Sequence, residues 1–350
     1  MKRRIGPRAA TALVLSGGLA LAGGLAGCGG SSDSANASGS SGGGTQLSLV
    51  AYSTPKHAYD ALTSAFATTS AGKGVSFSAS FGPSGSQSRA VASGQPADVV
   101  AFSTESDISR LVKAGLVSSN WDANTYKGIV SDSVVVFVVR KGNPKHITGW
   151  NDLTKPGISV VTPNPSTSGS ARWNIMAAYG AQLKEGKSPS QALAYVKTLL
   201  TKHVSVEDPS GSTAMSTFTG GKGDVLLSYE SEAISAVKAG EKVQYIIPKQ
   251  TILIQTPDAV IKKSSHAKQA QAFVSWLWSP AAQTIWAKKG YRPVVPSVLD
   301  KFKSKFPAPP QLFTIDSLGG WSQLKKKFFG PSSGLITKIQ QAAGFPTASS

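Results

Sequence analysis

Three segments combine glycine with hydroxyl side chains at the start of a helix-like pattern: Gly82-Pro83-Ser84-Gly85-Ser86-Gln87, Ser166-Thr167-Ser168-Gly169-Ser170-Ala171 and Pro209-Ser210-Gly211-Ser212-Thr213. The first backbone N–H groups of a helix have no acceptor within it, and the aligned peptide dipoles place about half a positive charge there. Such an end binds an anion without any charged side chain. Three ends brought together would present about +1.5 of partial charge with two or more donors each, close to what a dianion needs. Ser and Gly are also ordinary helix caps, so the pattern alone leaves open whether the turns converge or merely cap.

The elements that must position these turns alternate along the chain. Strands are predicted at Leu47–Tyr52, Val75–Ser80, Asp98–Phe102, Val134–Arg140, Ile158–Thr162, Asp224–Leu227, Val243–Ile247 and Ile252–Ile261. Helices are predicted at Pro55–Thr69, Asp107–Ala114, Ala171–Leu183, Ser190–Thr201, Glu230–Ala239, His266–Trp278 and Pro280–Lys289. Alternation on this scale means an α/β fold of parallel sheets covered by helices, in two lobes of ordinary domain size. Polar turns follow Val134–Val139 and Val243–Ile247, which marks both as crossings between lobes. Lobe I is then 46–133 plus 248–295 and lobe II 134–247, with a C-terminal segment, 296–350, packing on them.

The amino terminus carries Lys2, Arg3, Arg4 and Arg8, then an uncharged run from Ala9 to Gly27 that ends in Leu25-Ala26-Gly27-Cys28. A basic start, a short apolar run and small residues make a secretory signal, 1–27, and not a spanning helix. The last four residues resemble the bacterial lipobox, which implies lipidation of Cys28 and a place on the extracytoplasmic face of the cell membrane. Because Cys28 is the only Cys of 350 residues, an intramolecular disulfide is impossible. Residues 28–45 read as a Gly/Ser tether with a root-mean-square span of roughly 20–25 Å.

The formal net charge of +18 falls to +14 once the four cations of the leader are removed. That excess favours anionic partners, but the cations are scattered and no zinc-finger or RNP-like motif accompanies them, so nucleic acid is not expected. A field that steers small anions fits an exported protein. An extracytoplasmic hydrolase is the alternative from another class. His57, His146, His203 and His266 sit in separate polar contexts without metal-ligand spacing. The Gly-x-Ser-x-Gly matches, Gly39–Gly43 and Gly330–Gly334, do not lie at strand-to-helix elbows. No catalytic residue, metal or cofactor is therefore expected.

Several blocks together resemble the sulfate- and thiosulfate-binding proteins of ABC importers. They are Asn143-Pro144-Lys145, Trp150-Asn151-Asp152-Leu153, Thr162-Pro163-Asn164-Pro165, Ser168-Gly169-Ser170-Ala171-Arg172-Trp173-Asn174, Glu230-Ser231-Glu232-Ala233, Tyr291-Arg292-Pro293 and Leu312-Phe313-Thr314-Ile315-Asp316. The resemblance runs from about residue 47 to residue 329. It implies a type II periplasmic-binding-protein fold, with two lobes joined by a two-strand hinge and closing on a dehydrated sulfate held by neutral donors. A monomer serving a separate permease and ATPase is expected; the chain itself has no P-loop.

Carried over residue by residue, the resemblance makes Ser84 a donor through backbone N–H and hydroxyl, and Ser53, Gly169, Ser170 and Gly211 donors through backbone N–H. Gly211 matches an alanine of the family, and Ser170 a glycine. Tyr229 stands where the family has a tryptophan donating its indole N–H. Arg172 is implied to tie the loop down from behind. Thiosulfate, molybdate and phosphate are the alternative ligands. Monohydrogen phosphate carries a proton that needs an acceptor, for which Asp208 is the nearest candidate, so a site of donors alone prefers sulfate.

Overall fold

The computed structural model describes residues 44–347; the leader, Cys28 and all but the last two residues of the tether lie outside the described residues. The first elements are β1 (Thr45–Tyr52), α1 (Lys56–Ala67), β2 (Val75–Gly82), α2 (Ser84–Ala92), β3 (Val99–Ala101) and α3 (Glu105–Lys113). A long strand, β4 (Ile129–Arg140), leads to β5 (Val160–Pro163), α4 (Gly169–Lys184), α5 (Pro189–Thr198), β6 (Val204–Asp208), α6 (Gly211–Thr219), β7 (Val225–Tyr229), α7 (Glu230–Lys238) and β8 (Val243–Ile246). The chain returns through β9 (Gln250–Val260), α8 (Ala267–Trp276), α9 (Pro280–Lys288) and α10 (Pro296–Leu299). It ends with β10 (Gln311–Phe313), α11 (Gly320–Phe329) and α12 (Leu335–Ala342).

Two half-sheets share one pair of strands. In the first, β2, β1 and β3 run parallel and β3 pairs antiparallel with the end of β9. In the second, β6, β5 and β7 run parallel, while β7 and β8 flank β4 antiparallel. Between them β4 and β9 pair antiparallel, with Ser131–Val134 opposite Leu253–Thr256, so each strand belongs to both halves.

The second crossing therefore differs from the sequence expectation. β8 stays in the second half, paired with Phe137–Arg140, and β9 makes the passage. Pro248 lacks an N–H and ends β8, and that break reads in sequence like a crossing. β4 also starts five residues early, because Ser131, Asp132 and Ser133 interrupt the apolar run. Ser131 Oγ lies 2.8 Å from Thr256 Oγ1 and is fully buried.

Period-two alternation sorts β4 onto two cores. Val135, Phe137 and Val139 face Trp150, Trp173 and Met176, whereas Val134, Val136 and Val138 face Ala214, Phe218 and Leu226. Burial on both faces explains the unbroken valine-rich stretch. The C-terminal segment enters this core rather than lying over it. β10 pairs parallel with β9, and Trp321, Leu324, Phe328 and Ile336 are buried in the cluster that holds Trp173.

Candidate functional site

In open α/β sheets a ligand crevice forms outside the carboxyl ends of the parallel strands. Every candidate residue lies there. Ser53 follows β1, Ser84 follows β2, Gly169 and Ser170 follow β5, Gly211 follows β6, and Tyr229 ends β7. The three Gly/Ser turns do start helices: Ser84 is the first residue of α2, Gly169 of α4 and Gly211 of α6. Of these three helices only α6 is capped by a side chain, Ser210 accepting from the N–H of Thr213. The N–H groups of Ser84, Gly169, Ser170 and Gly211 are first-turn donors with no acceptor inside their helices.

Short contacts link the turns of both halves. Ser103, just past β3, donates its N–H to Ser84 Oγ at 3.0 Å, and its own Oγ lies 2.7 Å from Tyr229 Oη. A Cβ on Gly169 would come within 2.6 Å of Ser103 Oγ. On Gly211 it would come within 3.0 Å of Ser170 Oγ and 3.2 Å of Thr54 Oγ1, next to Ser53. Gly85 N–H donates to the Thr167 carbonyl at 2.9 Å and Trp173 Nε1 to the Ser103 carbonyl at 2.7 Å. The halves are thus closed on each other, and Ser84, Ser170 and Tyr229 are buried. Ser170 takes ordinary helical backbone, so its side chain costs no left-handed strain; its Oγ meets Ser168 Oγ at 2.7 Å.

Two expected details change. The Ser84 hydroxyl, expected to donate to the ligand, donates to Asp107 Oδ2 at 2.7 Å, because its single proton is taken by a carboxylate. Its backbone N–H remains. The carboxylate nearest Gly211 is Glu232, whose Oε2 lies 3.0 Å from a Cβ placed there, and not Asp208. Burial pushes the Glu232 carboxyl up, against hydroxyls of Ser228, Thr54 and Ser212 that lower it. Tyr229 is raised well above its ordinary value, first by burial; it stays a neutral hydroxyl able to donate or accept.

Behind the turns stands Asp107, with no exposed side-chain surface. It accepts from Ser84, from Thr104 at 3.1 Å and from Arg110 at 3.1 Å, and Arg172 Nη1 is 3.9 Å away. Burial raises this carboxyl, and the Arg172 and Arg110 guanidiniums with the Ser84 hydrogen bond outweigh burial, leaving it below its ordinary value. Arg172 Nε donates to the Pro165 carbonyl at 2.9 Å, which fastens the loop before α4. The first turn of α7 is fastened likewise, Arg292 donating to both oxygens of buried Glu230 at 2.7 and 3.0 Å.

The sequence pattern of the family described as bacterial extracellular solute-binding protein matches residues 47–292. The chain belongs to that family. A sulfate-binding protein of Synechococcus elongatus is 42% identical, covering 88% of this chain and 90% of its own length. A thiosulfate-binding protein of Escherichia coli is 35% identical, with 85% and 92% covered. Among solved structures, the sulfate-binding protein SubI of Mycobacterium tuberculosis superposes with a TM-score of 0.80 at 47% identity, covering 81% of this chain and 99% of that one. The type II periplasmic-binding fold expected from the resemblance is the one observed.

Within this solute-binding protein, Ser103, Thr54, Asp107 and Glu232 lie against the candidate residues, and sequence reasoning did not single them out. Ser103 follows a strand and precedes a helix, as the three turns do. It lacks their glycine and so did not stand out. The four histidines stay apart: His57 and His146 are exposed, His203 is half-buried, and His266 Nδ1 lies 3.6 Å from Asp98. Among the described residues no group of three or more His, Cys, Asp or Glu is arranged to hold a metal.

Proposed function

We propose that this chain captures sulfate without chemical turnover and delivers it to an ABC-type permease. Ser53 and Ser84 hold the anion from lobe I (46–133 plus 248–295), and Gly169, Ser170, Gly211 and Tyr229 hold it from lobe II (134–247). The observation that carries this reading is the meeting of uncharged donors at helix starts from both halves. The sulfate-binding names of its relatives point the same way. Such a site offers mainly donors, which suits an anion that carries no proton at neutral pH.

Calorimetry with sulfate, thiosulfate, molybdate and phosphate at one salt concentration tests it. Sulfate or thiosulfate is expected to bind tightest and phosphate weakest. No heat with any oxyanion would remove the function, and tightest binding to phosphate would remove the selectivity argument.

Tyr229→Phe deletes the 2.7 Å link to Ser103 and leaves a buried hydroxyl unpaired. Sulfate affinity is expected to fall by the cost of one such group, about 1–3 kcal/mol. The unfolding temperature without ligand should move little, since the link joins the halves only when they are closed.

Attachment through lipid on Cys28, with the permease reached from the outer face as a monomer, belongs to the same proposal. Cys28→Ser should move the protein from the membrane pellet to the soluble extracytoplasmic fraction. Unchanged partition would exclude the anchor.

A further inference from the structure

A second concentration of charge lies behind the cleft and plays no part in the proposal above. A cavity of about 270 Å³ is lined by Arg89 of α2, Arg110 of α3, Arg172 of α4 and Lys325 of α11, with Thr337 and Gln340 of α12. No acidic side chain is among its lining residues. Asp107, beneath it, pairs with Arg110, so four cations face one carboxylate. Side chains of like charge gathered at one cavity destabilise the fold unless something offsets them.

The polar groups here are only partly used. Arg172 is 6% exposed, yet its Nη1 makes no hydrogen bond and reaches Asp107 Oδ1 only at 3.9 Å. Arg89 donates to the Ser166 carbonyl at 3.3 Å and to Ser86 Oγ at 3.2 Å, contacts that leave its charge unneutralised. Lys325 is pushed down to about 8, first by burial and then by Arg110 and Arg172, against Asp107. Thr337 adds a hydroxyl that donates and accepts, whereas Gln340, whose Nε2 donates to Glu207 at 2.7 Å, offers its amide oxygen as an acceptor.

We infer that this cavity is a second anion site, taking a free tetrahedral oxyanion such as sulfate or phosphate through Arg172, Arg89 and Lys325. Its chemistry is opposite to that of the cleft. Charged forks and an ammonium on side chains bind by charge, and neighbouring hydroxyl, amide and carbonyl oxygens accept a proton. The site therefore has no means of rejecting monohydrogen phosphate, whereas the cleft does. Because α2 and α3 pack on the first half and α4 on the second, an anion held here also links the halves.

Equilibrium dialysis of the full chain with radiolabelled sulfate at fixed chloride tests the inference. Two classes of site are expected: a tight one unaffected by inorganic phosphate, and a weaker one that phosphate displaces. Lys325→Glu should weaken the second class at least tenfold. Lys326→Glu, an exposed charge one residue on that does not line the cavity, should leave it in place. A single tight class, one sulfate per chain and insensitive to Lys325→Glu, overturns the inference, as does an equal effect of the two reversals, which would mean diffuse attraction. Failure of the cleft reading gives a different result: a single weak class, sensitive to Lys325→Glu and displaced by phosphate.

Discussion

Gly169→Ala is expected to cost more sulfate affinity than any other single methyl added at the cleft. The new Cβ would sit 2.6 Å from Ser103 Oγ, 2.7 Å from Ser103 Cβ and 3.2 Å from Thr104 Cγ2. All three belong to the opposite half. Gly169 opens α4 without a positive φ, so alanine suffers no backbone strain and the penalty is steric. Overpacking of this kind costs about 1–3 kcal/mol, and the clash also displaces the N–H groups of Gly169 and Ser170 from the place proposed for the anion. A loss of about a hundredfold is expected, equivalent to about 2.7 kcal/mol.

Because the clash exists only when the halves are closed, the unfolding temperature without ligand should barely change. Gly211→Ala is the contrast. Its nearest neighbours, at 3.0–3.2 Å, are the tips of Glu232, Ser170 and Thr54, which can turn aside. Calorimetry that gave both variants the same affinity would show that the halves do not close as described.

The same two glycines show how far the sequence is legible. That each opens a helix follows from small residues and hydroxyls before an apolar run, which is local information. That one needs glycine and the other does not depends on Ser103, far along the chain and across the cleft. Most strands announced themselves through β-branched runs. β6 did not, because Val204-Ser-Val-Glu-Asp208 is short and half polar.

α11 and α12 carry apolar residues at helical spacing, Trp321, Leu324 and Phe328, then Ile336 and Ile339. The lysine run inside α11, Lys325–Lys327, read as surface. Asp107 looks like any acid near the start of a helix, where the dipole favours it. Its tie to Arg172 is made through space and leaves no trace in spacing.

Asp107→Asn is expected to have the largest effect on stability. The carboxylate gathers hydrogen bonds from Ser84, Thr104 and Arg110 and faces Arg172. An amide in its place turns a donor toward one of these donors and leaves the buried Arg172 and half-buried Arg110 guanidiniums without their counter-charge. Breaking a buried pair by removing one partner costs about 3–5 kcal/mol. In a folded body of this size that lowers the unfolding temperature by roughly 5–8 °C.

The acid limb gives a second reading of the same group. Arg172, Arg110 and the Ser84 hydroxyl hold the folded carboxyl below its ordinary value in spite of burial, and the unfolded value is about 3.9. Its contribution is therefore complete above about pH 4 and is lost as pH falls through the lower folded value. The gap between wild type and Asp107→Asn should be wide at pH 7 and narrow only in strong acid.

Asp258 is the internal comparison. Burial pushes its carboxyl up to about 8, against a hydrogen bond from Tyr59, so it is largely protonated at pH 7 and Asp258→Asn removes little charge there. Thermal unfolding across pH separates the two. If Asp107→Asn proved no more damaging at pH 7 than Asp258→Asn, the carboxylate would not be what holds α2, α3 and α4 together behind the cleft.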